Sequence, residues 1–168
     1  MSRADRILLI GMMGAGKTTV GTALSDLLGW PYYDNDELLR RLVGKDTRRV
    51  QQEDGLAALR RAESACLTLA LTEAGPLIAG VAGGIVTDPL DRERLRTGGF
   101  VVWLRAGLDT LVSRVQGTDR PWLGADPRAA LAALYAGRAD LYASVASCIV
   151  DVDTLPPEEI AVRIAAQL

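Results

Sequence analysis

The stretch GMMGAGKT, residues 11–18, has the spacing G-x-x-x-x-G-K-[ST]. Gly11, Gly14 and Gly16 let the backbone curl so that several N–H groups, with Ala15 and Thr19 in the same stretch, face one anion. A helix that starts directly behind such a loop adds its unpaired first amides and the positive end of its dipole. Lys17 supplies a point charge for β- and γ-phosphates, and Thr18 a hydroxyl oxygen for Mg²⁺, a cation that prefers hard oxygen ligands and keeps several waters. A glycine-rich turn between a strand and a helix accounts for the glycines but not for the lysine and threonine at these offsets. The expected ligand is therefore ATP with Mg²⁺.

A second group with chemical potential is Asp34-Asn35-Asp36, which follows a short apolar run. Two acids one residue apart can diverge, one toward metal and phosphate, the other toward an acceptor hydroxyl that it orients or deprotonates. The plain alternative is that either aspartate caps the helix beginning near Glu37. The chain has no histidine, which removes the commonest general base and metal ligand. Carboxylates, cations, a metal ion and backbone amides are left to carry any chemistry.

These groups need elements to position them. Apolar runs at 7–10, 31–33, 77–81, 100–104 and 148–152 read as five strands. Their apolarity is continuous instead of alternating, as expected for strands covered on both faces in a parallel sheet. Helical patterns fall near 17–28, 36–43, 55–73, 89–97, 108–116, 127–145 and 157–166, the last with Pro156, Pro157, Glu158 and Glu159 at its start. The fold class predicted is α/β, a three-layer sandwich. The segment GTDRPWLGADP, residues 117–127, is polar and rich in helix breakers, the composition of a moving flap.

The chain has 168 residues and a formal net charge of −2, which suits a single domain. No block of like charges points to nucleic acid or to an acidic membrane surface. No apolar stretch approaches the length of a membrane span and the N-terminal run is short for a signal peptide, so a cytoplasmic protein is expected. Cys66 and Cys148 lie among apolar or small residues outside any metal-type spacing and read as reduced core thiols.

Six ordered motifs carry a resemblance over essentially the whole chain: GMMGAGKTTVG, DND, LRRAE at 59–63, AGGIVTDP at 82–89, DRPWL at 119–123 and RADLY at 138–142. They resemble the shikimate kinase family, which carries FRxxE, GGG, RPLL and R-x-x-x-Y at matching places. The resemblance implies a P-loop NTPase fold with strand order 2-3-1-4-5. It also implies an acceptor-binding segment at about 34–63 and a lid at about 114–126.

By that resemblance Asp34 stands on the metal side, and Asp36 holds the acceptor hydroxyls and serves as candidate base. Arg60 and Arg138 grip the carboxylate of shikimate, a task suited to the bidentate guanidinium fork. Gly83 and Gly84 allow close approach of the backbone to the acceptor, and Glu63 fixes Arg60 one helical turn away. Arg120 is the lid cation that joins Lys17 and Asp36 in catalysis, while Arg114 and Pro156 resemble the adenine-side residues. Arg61 has no motif role and is expected at the surface. Trp122 reads equally as a lid plug or a packing residue. Taken singly, each arginine also reads as an ordinary solvated helix residue.

Gln51, Leu56, Leu59 and Ala82 depart from the family pattern, and all four belong to the acceptor side. The expected activity is ATP-dependent phosphorylation of shikimate in aromatic amino-acid biosynthesis by a monomer. The alternatives are a kinase of another carboxylated polyol, sugar acid or antibiotic, and a nucleotide-binding regulator without turnover.

Overall fold

The computed structural model describes residues 5–116 and 123–168. Every residue of strand β1, Arg6–Ile10, is buried, as is every residue of β3, Leu77–Gly80. With β2 (Tyr32–Tyr33), β4 (Phe100–Arg105) and β5 (Cys148–Asp151) they form one parallel sheet in the order β2-β3-β1-β4-β5. Ile7 at its centre pairs with Ile78 on one side and Phe100 on the other. The continuous apolar runs thus meet the requirement that produced them, since neither face of a central strand touches water.

The helices are α1 (Lys17–Leu28), α2 (Asn35–Val43), α3 (Thr47–Asp54), α4 (Leu56–Thr72), α5 (Pro89–Gly98), α6 (Leu108–Val115), α7 (Pro127–Val145) and α8 (Pro157–Ala165). α1 packs on α8, while α4, α5 and α7 pack together, so helices flank the sheet in two layers. α2 and α3 both lean on α4 and overhang the carboxyl ends of the strands. In an open α/β sheet, ligands bind at those ends, where the chain order reverses. Here the reversal lies at β1, which sits between β3 and β4.

The structure adds one helix to the sequence reading. α3 was not expected, because its residues are almost all polar and only Val50 is buried. Its start is nonetheless encoded: the side chain of Asp46 accepts from the Arg49 N–H at 2.9 Å, an ordinary N-cap. Gly55, with φ 87°, separates α3 from α4, so the long helix begins at Leu56. Cys66 is buried as expected, but Cys148 is only half-buried because the outward-facing side of edge strand β5 is incompletely covered. Among the described residues no helix is long and apolar enough to cross a membrane.

Candidate active site

Behind β1 the chain turns sharply at Gly11, with φ +147°, where a Cβ would stand 2.7 Å from the Leu104 carbonyl oxygen. Gly16 is the N-cap of α1 in the left-handed region, φ 92°, and no side chain caps the helix. The first helical bond runs from Val20 N to Gly16 O, which leaves the amides of Lys17, Thr18 and Thr19 without a helical acceptor. That is the electropositive cradle the motif implies. Ala15 differs from its neighbours: it is buried and its N–H closes a turn onto Met12 O at 3.1 Å. Lys17 Nζ donates to the carbonyls of Gly11 and Met12 at 2.8 and 3.0 Å, which holds the ammonium at the loop. Arg114 donates from Nη1 to Gly14 O at 3.1 Å and so lies against the same loop.

Asp34 fulfils the capping role weighed for it and also meets Thr18. Its Oδ1 caps α2 by accepting the Asp36 N–H at 2.9 Å, while its Oδ2 accepts from Thr18 Oγ1 at 2.8 Å. Tyr32, which the sequence offered only as a strand residue, donates to the same Oδ2 at 3.2 Å. Burial first, then the Asp34 charge, pushes this phenol well above its ordinary value, so it stays a donor. Its ring is pinned between two glycines: a Cβ on Gly21 would meet it at 2.2 Å, and one on Gly80 would stand 2.4 Å from its hydroxyl. A threonine hydroxyl and a carboxylate oxygen held side by side form a hard-oxygen pair suited to Mg²⁺.

The acceptor-side residues converge from three elements. Arg60 on α4 donates from Nη1 to Glu63 Oε2 at 2.6 Å, the expected i, i+3 contact. Glu63 is buried, and burial raises its carboxyl above the ordinary value against the opposing pull of Arg60 and Arg138. Arg138 on α7 is only 8% exposed, an unusual place for a guanidinium. A Cβ on Gly84 would come 2.0 Å from Arg60 Nη1, and one on Gly83 would stand 3.8 Å from Arg138 Nη1. Two arginines from different helices thus meet over consecutive glycines behind β3. Tyr142, fully buried, holds this loop by donating to Gly83 O at 2.6 Å. Arg61, by contrast, is exposed.

These groups face one cavity of about 930 Å³. Gly14, Gly16, Lys17 and Thr18 line it together with Asp36, Arg60 and Arg138. Gln51, Leu56, Leu59 and Ala82 all line it too, so the departures from the family pattern share one pocket. Arg114 and Pro156 are not among the cavity's lining residues, and Pro156 is exposed at the start of α8. Arg120 and Trp122, with residues 117–122 of the expected lid, lie outside the described residues. Sequence reasoning missed Tyr32 and Thr47. The signal for Thr47 was the Asp-Thr start of α3; for Tyr32 there was none short of the fold.

A protein-family model described as shikimate kinase matches residues 13–168. The chain belongs to the shikimate kinase family. It is similar to the shikimate kinase of Nitrosospira multiformis, 38% identical over 164 residues, covering 96% of this chain and 84% of the relative. A shikimate kinase from Ruegeria pomeroyi is 36% identical with the same coverage. Among solved structures, shikimate kinase from Acinetobacter baumannii in complex with shikimate superposes with a TM-score of 0.91 at 30% identity, over 96% of this chain and 91% of that one. Membership in the shikimate kinase family and the strand order thus agree with the motifs that first suggested them.

Proposed function

We propose that the protein transfers the γ-phosphoryl group of ATP to a ring hydroxyl of shikimate, giving shikimate 3-phosphate and ADP. The observation that carries this reading is that two anion grips line one cavity: the loop with Lys17, and Arg60 with Arg138. The bond that forms joins the acceptor oxygen to the γ-phosphorus, and the bond that breaks joins that phosphorus to the β,γ-bridging oxygen. The acceptor's proton passes to Asp36 or, with Asp36 only orienting the hydroxyl, to solvent. Catalysis is then mostly positioning and charge neutralisation.

Thr18 and Asp34 are the residues that would hold Mg²⁺. Among the described residues no cluster of three or more His, Cys, Asp or Glu side chains is arranged to hold a metal, so these two oxygens would hold the ion together with phosphate oxygens and water. Mg²⁺ in that position supplies charge neutralisation for the β- and γ-phosphates. Lys17 and the amides of Thr18 and Thr19 hold those phosphates, with Gly11, Gly14, Ala15 and Gly16 shaping the loop. Arg114 and Pro156 serve the adenine side, and Arg120 is the cation that meets the transferred group. Gly83 and Gly84 admit the acceptor ring beside Arg60 and Arg138.

In this reading residues 1–168 work as one catalytic domain, with the acceptor segment at about 34–63 and the lid at about 114–126. It acts as a cytoplasmic monomer in aromatic amino-acid biosynthesis, with no nucleic-acid or membrane partner. A second reading, phosphorylation of another carboxylated polyol such as a sugar acid, draws support from Gln51 and Leu59, which make the pocket wall less aromatic. One pocket contact of that kind shifts discrimination between similar acceptors by about 1–3 kcal/mol. ADP release from Mg²⁺-ATP, measured without acceptor, with shikimate and with a panel of sugar acids, tests both. Stimulation by shikimate supports the first, stimulation only by another acid the second, and no stimulation removes both.

A further inference from the structure

We infer that Thr47 is a positioning residue for phosphoryl transfer, its hydroxyl clamping Asp36 so that one carboxylate oxygen is left for the acceptor. The inference rests on the proposed role of Asp36. Thr47 Oγ1 donates to Asp36 Oδ1, and both side chains are half-buried in the lining of the one cavity. Asp36 Oδ2 has no hydrogen-bond partner among the described residues, so the clamp leaves one oxygen open.

The two residues reach each other from separate, independently anchored elements. Asp36 stands in the first turn of α2, its own N–H tied to Asp34 Oδ1 at 2.9 Å. Thr47 opens α3 directly behind Asp46, whose side chain secures the helix through the Arg49 N–H. An aspartate on a helix start turns freely about two side-chain torsions. One hydrogen bond from a residue that is itself fixed selects the orientation, and a misplaced catalytic group is costly. A hydroxyl has a single proton to give, and here the carboxylate takes it. Because α2 and α3 both pack on α4, the seating of the two helices on that common support sets Thr47 against Asp36.

The test compares Thr47→Val, which keeps the shape and removes the donor, with Thr47→Ser, which keeps the donor. Thr47→Val is expected to lower kcat/KM for shikimate by roughly 10-fold, with KM for ATP changed by less than about two-fold. Thr47→Ser is expected to restore most of that loss. A second arm measures shikimate Kd by calorimetry in an Asp36→Ala background, which has no acceptor for the Thr47 hydroxyl and where adding Thr47→Val should change nothing. Wild-type kinetics in Thr47→Val, a Thr47→Ser variant as impaired as Thr47→Val, or a further loss of affinity in the Asp36→Ala background would each overturn the inference. Full turnover in Asp36→Ala alone removes the role of Asp36 and the inference together. An inactive Asp36→Ala beside an unaffected Thr47→Val removes the inference and leaves Asp36 in place.

Discussion

Two cations divide the work of the cavity, and single substitutions separate them. Lys17, held at the loop by the Gly11 and Met12 carbonyls, is the ammonium nearest the phosphate cradle. Lys17→Ala is expected to reduce turnover by a factor of about 10³ or more, read as ADP release at saturating substrates. Arg138 lines the same cavity from α7, buried beside Gly83. Arg138→Ala should raise KM for shikimate by about 10- to 100-fold, the loss of a charge-assisted fork, while KM for ATP moves by less than about two-fold. Equal losses for both substrates would contradict the assignment.

At the scale of elements, two glycine substitutions of equal size should have different consequences for the acceptor. A Cβ on Gly84 would collide with Arg60 Nη1 at 2.0 Å, but that atom ends a flexible chain and can swing aside. Gly84→Ala is therefore expected to raise KM for shikimate by about 10-fold, because Arg60 loses its place, and to lower the denaturation midpoint, because the buried Glu63 carboxyl loses its partner. A Cβ on Gly21 would meet the Tyr32 ring at 2.2 Å, and that ring cannot retreat because Gly80 backs its hydroxyl. Gly21→Ala should cost about 1–3 kcal/mol in chemical denaturation, the usual cost of overpacking. The glycine on α1 thus packs the tyrosine that steadies Asp34, which joins the sheet edge to Thr18 on the phosphate loop's helix.

For the whole molecule, burial sets how stability responds to alkali. Burial, with smaller help from Glu63 and Asp36, pushes the Cys66 thiol up to about 12, and burial likewise pushes the Tyr142 phenol up to about 12. Both are acids whose neutral forms suit the fold. Their contribution is full below their ordinary values of 9.0 and 10.0 and is lost as pH rises toward 12. The melting temperature should therefore fall between pH 9 and pH 12, and Cys66→Ala should make the early part of that fall shallower. A melting temperature in Cys66→Ala that tracks the parent across the range would show that the thiol contributes nothing to it.

What the sequence determined by itself lies within single stretches of chain. The phosphate loop is read from adjacent residues, because its anion site is built from its own backbone amides and one neighbouring side chain. The five strands are legible from unbroken apolarity, and the Arg60–Glu63 contact from one helical turn. Tertiary structure alone decided what depends on crossovers between elements. It brought Arg60 and Arg138 onto consecutive glycines, slotted Tyr32 between Gly21 and Gly80, and set Thr47 against Asp36. It also gave Asp34 two partners, the cap contact to the Asp36 N–H through one oxygen and the Thr18 hydroxyl through the other. Hydrogen bonding and periodicity along one segment are local properties of the chain, whereas the approach of two side chains from different helices follows only once the sheet has fixed where those helices start.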